Sequence, residues 1–543
     1  NGTIITPSLE GSILPGITRR SVIEVLKDWG VKFEELKLFV KAGNTQYEVS
    51  FNNYDEVKKC AGREYAISKG IEVQFPITDC RKIYEFFFLI DEMEIPCRTI
   101  TYGKYSPITR KLKNSYYYKN GVCILPFENK IIVEKVSKKQ VIKCELKLLS
   151  ELASKHDIAA IKAIFARTLY HLIKPLIKRE IWLITDKGDR ADDNGEAFFV
   201  WCMNNKEIIN CFPIFSVHKN SLDYKRLKKV GPVIDYMSFT YKMCHMLATH
   251  TISAYSHGEI NNPFFDYGHY YGDILHENQV VFLQHGITKD DVSNILNKNN
   301  KNYKLFITAT QEEYDSILYY NYGYTDKQVA LTGFPRYDRL YNRENKKITI
   351  MPTWRRSLFG NYDSTTATWA ILPGFEKSLF YLFYNSLLNS KTLLEKAEEY
   401  GYEIEFLIHP TMFHCLDYFS INPKVKVFQT DVVYRDVFAE SSLILTDYSS
   451  AVFDMAYLRK PVMYAHFDGN HYQEGYFDYE RDGFGEVEYN LDDTITRIIE
   501  YMENGCVLKE KYKTRIDNFF KFSDKNNSQR VYEKIIELDK TFE

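Results

Sequence analysis

Several features that would place a chain in a common functional class are missing from this 543-residue sequence. The formal net charge is only −2, so no overall positive field favours a nucleic-acid partner. The ten cysteines are scattered, with no C-x-x-C pair and no spacing typical of a zinc site. We therefore expect reduced thiols in a cytosolic protein. Internal repeats and long low-complexity segments are also absent.

Segments that lead into or across a membrane are missing as well. No apolar run reaches the length needed to span a bilayer, and Asn1–Gly30 lacks the basic start and apolar core of a signal peptide. By contrast, hydrophobic residues make up 45% of the chain and aromatic residues 15%. That supply is enough for a core in each of about three domains.

The first segment, residues 1–35, differs from the rest of the chain. Its amphipathic pattern predicts a helix over Arg19–Trp29. The letters TPSLEGSILPGITRR resemble a piece of a branched-chain aminotransferase, a pyridoxal-phosphate enzyme. The resemblance implies that Ile17 and Thr18 hold the cofactor phosphate. Because it brings no cofactor lysine and no surrounding domain, we interpret the segment as a non-functional remnant, a fusion junction or a chance match.

Two regions of different character follow. Residues 36–135 predict a small β-rich domain, in which Asn120-Gly121 between Tyr- and Val-containing runs is typical of a hairpin. Acceptor binding, oligomer contact and scaffolding are all compatible with it. Residues 136–179 predict basic helices, in which lysines alternate with Ile, Leu, Phe and Tyr over Ile158–Ile177. Such helices can lie on an anionic membrane surface, or they can be the solvated face of a connector.

Strands alternate with helices from Glu180 onward, a pattern that predicts parallel sheets. We expect two α/β domains, over residues 180–345 and 346–490, followed by C-terminal helices over residues 491–543. Open α/β sheets bind ligands at the carboxyl ends of their strands. The residues that follow each predicted strand are therefore the candidates for function.

The best candidate is the strand–turn–helix–strand unit over Glu440–Tyr472. The turn contains Ser449 and Ser450, and a helix is predicted over Ala451–Arg459. A helix N-terminus with added hydroxyl groups suits a phosphate or pyrophosphate. The alternative is that Ser449 only caps the helix.

Four further segments follow predicted strands. His285, before Gly286, could act as a general base, and His409, before a proline, could contact a phosphate or a ribose. Either could equally be a structural histidine. The pair Arg355-Arg356 suits phosphate binding, with a surface ion pair as the alternative. The segment TGFPRYD, at 332–338, has the composition of an inter-domain hinge.

Taken together, these motifs identify a family. In order, H-G-I-T-K, T-G-F-P-R-Y-D, P-T-W-R, H-P and T-D-Y-S-S-x-x-F-D resemble the CDP-glycerol glycerophosphotransferases, which include teichoic-acid and capsule polymerases. The segments Asp189–Phe198 and Lys460–Tyr464 also fit, and the resemblance covers about Glu180–Phe520. One departure is Ile287-Thr288, where many members carry Thr-Pro after the H-G pair.

The resemblance implies a GT-B-like fold, in which two Rossmann-like domains face a cleft. His285 would be the base, while Arg355 and His409 would stabilise charge on the phosphates. The CDP and pyrophosphate of the donor would be bound by Thr446, Asp447, Ser449, Ser450, Asp454 and Arg356. Gly286, Lys289, Gly333, Arg336 and Asp338 would complete the cleft. No cofactor is required and no acidic metal cluster is evident, so a divalent metal ion is neither required nor excluded.

The expected reaction moves glycerol phosphate or ribitol phosphate from CDP-glycerol or CDP-ribitol to an acceptor hydroxyl, with release of CMP. The acceptor would be lipid-linked or polymeric, and the enzyme would be peripheral on the inner face of the cell membrane, in teichoic-acid or capsule synthesis. The alternatives are a GT-B glycosyltransferase that uses a nucleotide sugar and a non-catalytic scaffold or binding protein.

Overall fold

A computed structural model describes the chain over residues 102–343, 345–363, 368–429, 432–469 and 475–542. Before residue 102 it describes residues 4–7, 33–42, 45–48, 51–60, 63–73, 82–90 and 93–97. The helix predicted over Arg19–Trp29 and the candidate phosphate ligands Ile17 and Thr18 lie outside the described residues.

The first α/β half contains a seven-stranded parallel sheet. Its strands, in spatial order, are Val233–Asp235, Cys211–Val217, Glu180–Thr185, His250–Ser253, Gln279–Phe282, Leu305–Thr308 and Val329–Leu331. In chain order this is 3-2-1-4-5-6-7, the Rossmann pattern. The sequence predicted five of these strands and missed Val233–Asp235 and His250–Ser253. The order reverses between the first and fourth strands, where a crevice opens at their carboxyl ends.

The helices of this half cover the apolar sheet, whose strand residues Leu183 and Ile184 are fully buried. The α-helices are Asn194–Asn204, Leu222–Leu227, Phe239–Leu247, Gly258–Asn261, Gly272–His276, Ser293–Leu296, Lys298–Lys301 and Gln311–Tyr319, with 3₁₀ turns at Phe265–Tyr270 and Pro335–Arg339. The Asn194–Asn204 helix begins at Asp193, whose carboxylate accepts from the N–H of Asn194. That capping contact holds Asp193 at the carboxyl end of the sheet.

The second half repeats the pattern with a six-stranded parallel sheet, in chain order 3-2-1-4-5-6. Its strands, in spatial order, are Val425–Val427, Glu403–Phe406, Lys347–Ile350, Ser441–Thr446, Val462–Ala465 and Val487–Glu488. The accompanying helices are Leu379–Leu388, Lys391–Tyr400, Tyr434–Glu440, Val452–Tyr457 and Leu491–Glu503, with 3₁₀ turns at Arg356–Leu358, Phe375–Lys377 and Pro410–Tyr418 and a hairpin of Phe359–Asp363 with Thr368–Ile371.

One predicted helix is shorter than expected. Val452–Tyr457 has six residues, whereas the sequence predicted a helix over Ala451–Arg459. Arg459 has a φ of 58°, a left-handed conformation, and Lys460-Pro461 cannot continue the helix.

The last two helices, Glu510–Phe519 and Asn527–Phe542, pack across both halves. Phe519 stacks on Phe453 of the second half, with ring centroids 5.5 Å apart. In the first half, Tyr532 lies against Trp182 at 5.6 Å. The two halves are therefore tied together on the side away from the cleft.

The N-terminal region forms a mainly antiparallel sheet, which confirms the predicted β-rich character. Its path runs Ile4–Pro7, Phe33–Ala42, Lys82–Ile90, Lys130–Lys135, Val122–Phe127 and Tyr117–Lys119, with Thr45–Glu48 and Met93–Pro96 paired alongside and Phe51–Cys60 with Arg63–Val73 as a separate ribbon. The predicted hairpin is confirmed, because Asn120 and Gly121 form its turn with φ of 50° and 83°.

Two basic helices, Lys138–Ser154 and Ile158–Ile173, connect this sheet to the first half. Arg167 is fully buried and donates to the carboxylates of Glu145 and Asp273 at 2.6–2.8 Å. This ion-pair network joins the helix pair to the α/β body. In the part of the chain that the structure describes, no helix is both long and apolar enough to pass through a membrane. The domain boundaries given above stay predictions.

Candidate active site

A cleft of about 920 Å³ lies where the carboxyl ends of the two parallel sheets face each other. The first half contributes Asp193 and His285 to its walls, and the second half contributes His409, Ser449 and Ser450. The volume falls within the range of pockets that enclose a ligand of nucleotide size. Seven of the predicted site residues therefore line one cavity, namely His285, Lys289, Arg336, His409, Ser449, Ser450 and Asp454.

The ring of His285 is paired with a buried carboxylate. Its Nδ1 hydrogen-bonds to Asp193, and its Nε2 lies 3.4 Å from the hydroxyl of Tyr255. An ionised carboxylate only accepts hydrogen bonds, so Nδ1 must donate, and a neutral ring then has its lone pair on Nε2. The His285 side chain is 61% exposed. The edge of the ring that carries Nε2 is thus accessible to a substrate in the cleft, beside the hydroxyl of Tyr255.

Asp193 is fixed from several sides. Its N–H donates to Asp186, and its carboxylate accepts from the N–H of Asn194 at 2.8 Å and from Arg336 at 3.0 Å. Burial favours the protonated form of Asp193, but the positive charges of His285 and Arg336 prevail and lower its pKa. The carboxylate is therefore ionised where it meets the imidazole.

Arg336 links this pair to the second half. Its guanidinium donates to both oxygens of Asp454, at 2.7 and 2.8 Å, and to the carbonyl of His285 at 2.5 Å. The linked polar contacts Asp454–Arg336, Arg336–Asp193 and Asp193–His285 therefore extend from one half to the other. The position of the imidazole consequently depends on how the two halves are docked.

The turn of the second half approaches the base closely. A Cβ atom placed on Gly286 would lie 3.1 Å from Ser450 Oγ. That distance is tighter than ordinary side-chain packing, so glycine permits the approach. Ser449 Oγ accepts from the N–H of Ala451 at 3.2 Å, and both serine side chains are only partly buried. Their hydroxyl groups can therefore donate to a ligand beside His285.

The comparison with known proteins decides the family. Residues 166–537 match the family model described as CDP-Glycerol:Poly(glycerophosphate) glycerophosphotransferase. The chain belongs to this family. It is also 32% identical over 560 aligned residues to the minor teichoic acid biosynthesis protein GgaB of Bacillus subtilis, covering 98% of this chain and 61% of GgaB. The chain thus spans about three fifths of the length of that relative.

The fold comparison agrees with this glycerophosphotransferase family. The solved structure of the wall teichoic acid polymerase TagF matches with a TM-score of 0.52 at 15% identity, covering 75% of this chain and all of that chain. The predicted GT-B-like architecture is confirmed. Separately, residues 1–42 match the class IV aminotransferase model. A probable branched-chain-amino-acid aminotransferase of Staphylococcus epidermidis is 45% identical over 56 residues, 10% of this chain and 14% of that protein.

The cleft of this glycerophosphotransferase-family chain does not include Arg355. Its guanidinium is 3% exposed and lies between Asp447, at 2.8 Å, and Asp468, at 3.0 Å. Asp447 in turn accepts from the N–H groups of Thr353 and Tyr448. Arg355 thus supports the turn from behind, and the expected direct contact with phosphates has no geometric basis here.

Six other residues that the family resemblance placed in the site also lie outside the cleft lining, and two of them, Asp447 and Gly286, adjoin it as described above. Arg356 donates to the carbonyl of Phe359 and stacks over Trp369, while Thr446 is buried and donates to the carbonyl of Met351. Gly333 has a φ of 75°, and its Cβ position is blocked by Asn527. Asp338 accepts from the N–H groups of Asn527 and Ser528. The 3₁₀ turn that aims Arg336 into the cleft points Asp338 to the opposite side.

His409 lies in the cleft wall beside Trp354, with ring centroids 6.3 Å apart. Burial, together with the positive charges of Arg190, His285 and Lys187, lowers the pKa of His409 to about 4. The ring is therefore neutral at pH 7. Because Nδ1 accepts from the N–H of Thr411 at 3.2 Å, the proton is on Nε2. This nitrogen can donate one hydrogen bond to a phosphate oxygen.

Lys289 places a buried amine in the same cleft. Its Nζ donates to both oxygens of Asp290, at 2.8 and 2.7 Å, and lies over the ring of Tyr479. Asp290 also forms an antiparallel bridge with Gly475, whose Cβ position is blocked by the Lys289 carbonyl. The loop after the base therefore touches the second half here as well.

Sequence analysis missed Asp193, Tyr255 and Trp354 as members of the site. Asp193 lies within the D-R-A-D-D-N-G-E-A-F segment that fitted the family, and it follows the first strand of its sheet. The position at a strand end was the available signal. The choice among the acidic residues of that segment required the structure.

The described residues contain one His/Cys/Asp/Glu group arranged so that it could hold a metal ion, formed by Glu180, His250 and Asp539. Glu180 and His250 begin their strands, whereas the cleft lies where the strands end. This cluster is at the opposite edge of the sheet from the cleft, where the His250 Nε2–Asp539 contact of 3.0 Å anchors the last helix.

Proposed function

We propose that this chain transfers glycerol phosphate or ribitol phosphate from a CDP-polyol to the hydroxyl of a teichoic-acid-type acceptor and releases CMP. The observation that carries the proposal is the juxtaposition of the His285–Asp193 pair with Ser449 and Ser450 across one cleft, in contact at Gly286. The description of the family names CDP-glycerol and poly(glycerophosphate), and the name of GgaB includes teichoic acid biosynthesis.

The chemical step needs a base on one side and an anchored diphosphate on the other. Nε2 of His285 takes the proton of the acceptor hydroxyl, and the oxygen attacks the β-phosphorus of the donor. The bond from that phosphorus to the bridging oxygen breaks, and CMP leaves. Asp193 holds the imidazole in the required tautomer and stabilises the imidazolium that forms.

The donor phosphates have several hydrogen-bond donors within the cleft. Ser449 and Ser450 offer hydroxyl groups, His409 offers Nε2–H, and Lys289 offers a positive charge. Phosphoryl transfer depends mainly on position and on stabilisation of charge, so these groups are sufficient without a covalent intermediate.

The test is CMP release from CDP-glycerol and from CDP-ribitol by the full chain with a polyol-phosphate acceptor. We expect turnover with one of the two donors, and loss of turnover with retained CDP binding in His285→Ala, since a general base contributes about 10²–10⁴ in rate. Release of UDP or GDP from nucleotide sugars, with no CMP from either CDP-alcohol, would identify a glycosyltransferase instead.

We further propose that the basic helix pair lies on an anionic membrane surface where the acceptor is located. Exposed apolar residues form a stripe along the second helix and its 3₁₀ extension, at Ile158, Ile161, Phe165, Leu172 and Leu176. Phe239 extends the stripe, with its ring 5.7 Å from that of Phe165. The same helix pair carries exposed lysines, at Lys138, Lys139, Lys143, Lys147, Lys155 and Lys162. An apolar stripe on a lysine-rich helix pair suits the interface of an anionic membrane, where the acyl chains are apolar and the headgroups are negatively charged.

Vesicle sedimentation tests this surface. We expect Ile161→Ser with Phe165→Ser to reduce binding to vesicles that contain phosphatidylglycerol, because apolar area leaves the interface. Val507→Ser, which replaces an exposed apolar residue elsewhere, is the matched control. Equal binding by the double variant, or equal binding to neutral vesicles, would support a solvated connector.

A further inference from the structure

A buried carboxylate that the reaction does not use lies directly behind the base. Glu313, on the helix Gln311–Tyr319, is fully buried. Its Oε1 accepts from the N–H of Thr288 at 2.6 Å and from the carboxamide of Gln284 at 2.8 Å, while Oε2 accepts from the N–H of Ala309 at 2.8 Å. A buried charge is unfavourable unless such donors surround it, so these contacts are specific.

These contacts hold both ends of the turn that carries His285. Gln284 has a φ of 59°, a conformation that a residue of its type seldom adopts. Its side chain also accepts from the hydroxyl of Thr288 at 2.6 Å and donates to the carbonyl of Ile307 at 3.0 Å. The residues immediately before His285 and three after it are therefore bound to one carboxylate and to each other.

We propose that Glu313 is a positioning residue for His285, whose carboxylate fixes the 284–288 turn so that Nε2 points into the cleft. The inference rests on the proposed function, because it takes His285 as the base. Asp193 orients the imidazole ring through its hydrogen bond to Nδ1, whereas Glu313 fixes the backbone turn from which the His285 side chain extends. The two carboxylates therefore act on different parts of His285.

The protonation state of Glu313 makes the fixing of the 284–288 turn depend on pH. Burial raises the pKa of Glu313 to about 7, against the hydrogen bonds from Ala309, Thr288 and Gln284 and the positive charge of Arg336. The other titratable groups that face it are Tyr322, Tyr337 and Tyr476, and burial keeps the pKa of each phenol above its ordinary value.

The direction of the pH effect follows from the hydrogen bonds. A protonated carboxyl presents an O–H toward groups that are themselves donors, so one of the three contacts is lost. The turn is therefore fixed above about pH 7 and loosened as the pH falls through that value. The ionisation of Glu313 should thus contribute to the acidic side of the rate profile.

The experiment compares the pH dependence of kcat and KM in the wild-type chain, Glu313→Gln and Glu405→Gln. Glu405 is a buried carboxylate of the second half, paired with Lys347 and Lys426, and serves as the matched control. We expect kcat of Glu313→Gln to fall about tenfold at pH 8.5 because a hydrogen bond to a charged group is lost. KM for the CDP-polyol should change by less than about twofold, because the second half holds the donor.

The shape of the profile separates positioning from general stability. We expect kcat/KM of the wild type to fall as the pH decreases through about 7, and this inflection to be absent from Glu313→Gln, whose amide takes up no proton there. Glu405→Gln should keep the wild-type shape. A Glu313→Gln variant with wild-type kcat, or with a lowered kcat and an unchanged inflection near pH 7, overturns the proposal.

If Glu313→Gln fails to fold, a second variant tests the same contacts. Gln284→Ala removes the carboxamide that donates to Glu313 while the carboxylate stays in place, and it should lower kcat with little change in KM. A wild type with no inflection near pH 7, together with unchanged kcat in Gln284→Ala, overturns the inference. If the wild type releases no CMP from either CDP-alcohol, the proposed function itself fails and the inference fails with it.

Discussion

The substitution Asp193→Asn probes the base pair most directly. It keeps the size of the side chain and can keep the contact with the Asn194 N–H, but it removes the charge that faces His285. An asparagine can also donate to the ring nitrogen, which favours the tautomer with its proton on Nε2. In that tautomer the nitrogen that faces the cleft has no lone pair for a substrate proton.

The magnitude follows from the contacts. A hydrogen bond to a charged partner contributes about 1.5–3 kcal/mol, and each 1.36 kcal/mol corresponds to a factor of ten in rate. The loss of this one contact therefore predicts a decrease in kcat of about 10- to 150-fold, and the wrong tautomer increases it further. Arg336 keeps its paired contacts with Asp454, so the halves should stay docked.

The assay is single-turnover release of CMP, with CDP affinity measured by calorimetry on the same samples. Asp192→Asn is the matched control, since Asp192 is the neighbouring carboxylate of the cleft wall. Its partner Arg435 is 3.8 Å away, and asparagine tolerates its φ of 78°. We expect less than about a threefold change for the control. A folded Asp193→Asn variant with wild-type turnover, or one whose defect lies in CDP binding, would refute the reasoning.

Three further outcomes are expected. Ser449→Ala with Ser450→Ala should weaken CDP-glycerol binding by about tenfold per lost hydrogen bond to phosphate, and unchanged affinity in calorimetry would remove both serines from the donor site. CDP-glycerol affinity should be constant from pH 8 to about pH 5.5, because the lowered pKa of His409 keeps its ring neutral until about pH 4; a rise in affinity centred between pH 6 and 7 would contradict a neutral ring. Arg167→Ala should lower the free energy of unfolding by about 3–5 kcal/mol in urea titration, because the buried carboxylate of Glu145 and the partly buried one of Asp273 lose their partner, whereas the exposed Lys162→Ala should change it little.

Much of the fold was predictable because it rests on local patterns. Apolar strands alternating with helices indicated both parallel sheets, and Asn120-Gly121 indicated the hairpin, since both of its residues need a positive φ. The short strands Val233–Asp235 and His250–Ser253 were missed. Three or four residues with Asp, His and Thr among them do not give a distinctive period.

The candidate site was predictable in part for the same reason. His285, His409, Ser449 and Ser450 each follow a strand, and the carboxyl ends of parallel strands share one edge of a sheet, so their convergence on a cleft was expected. Arg355 also follows a strand, yet it is buried between two carboxylates. A pattern of strand and turn gives the place of a residue along the sheet edge and leaves the direction of its side chain open.

By itself, then, the order of residues determined the two-sheet architecture, the family and the positions from which function could arise, because hydrophobic periods and turn residues act over a few neighbours. Tertiary structure alone decided that Asp193 meets an imidazole 92 residues away and that Arg336 connects both to the second half. Those contacts depend on how distant segments dock, and docking is set by the packing of whole surfaces, which no short stretch of sequence specifies.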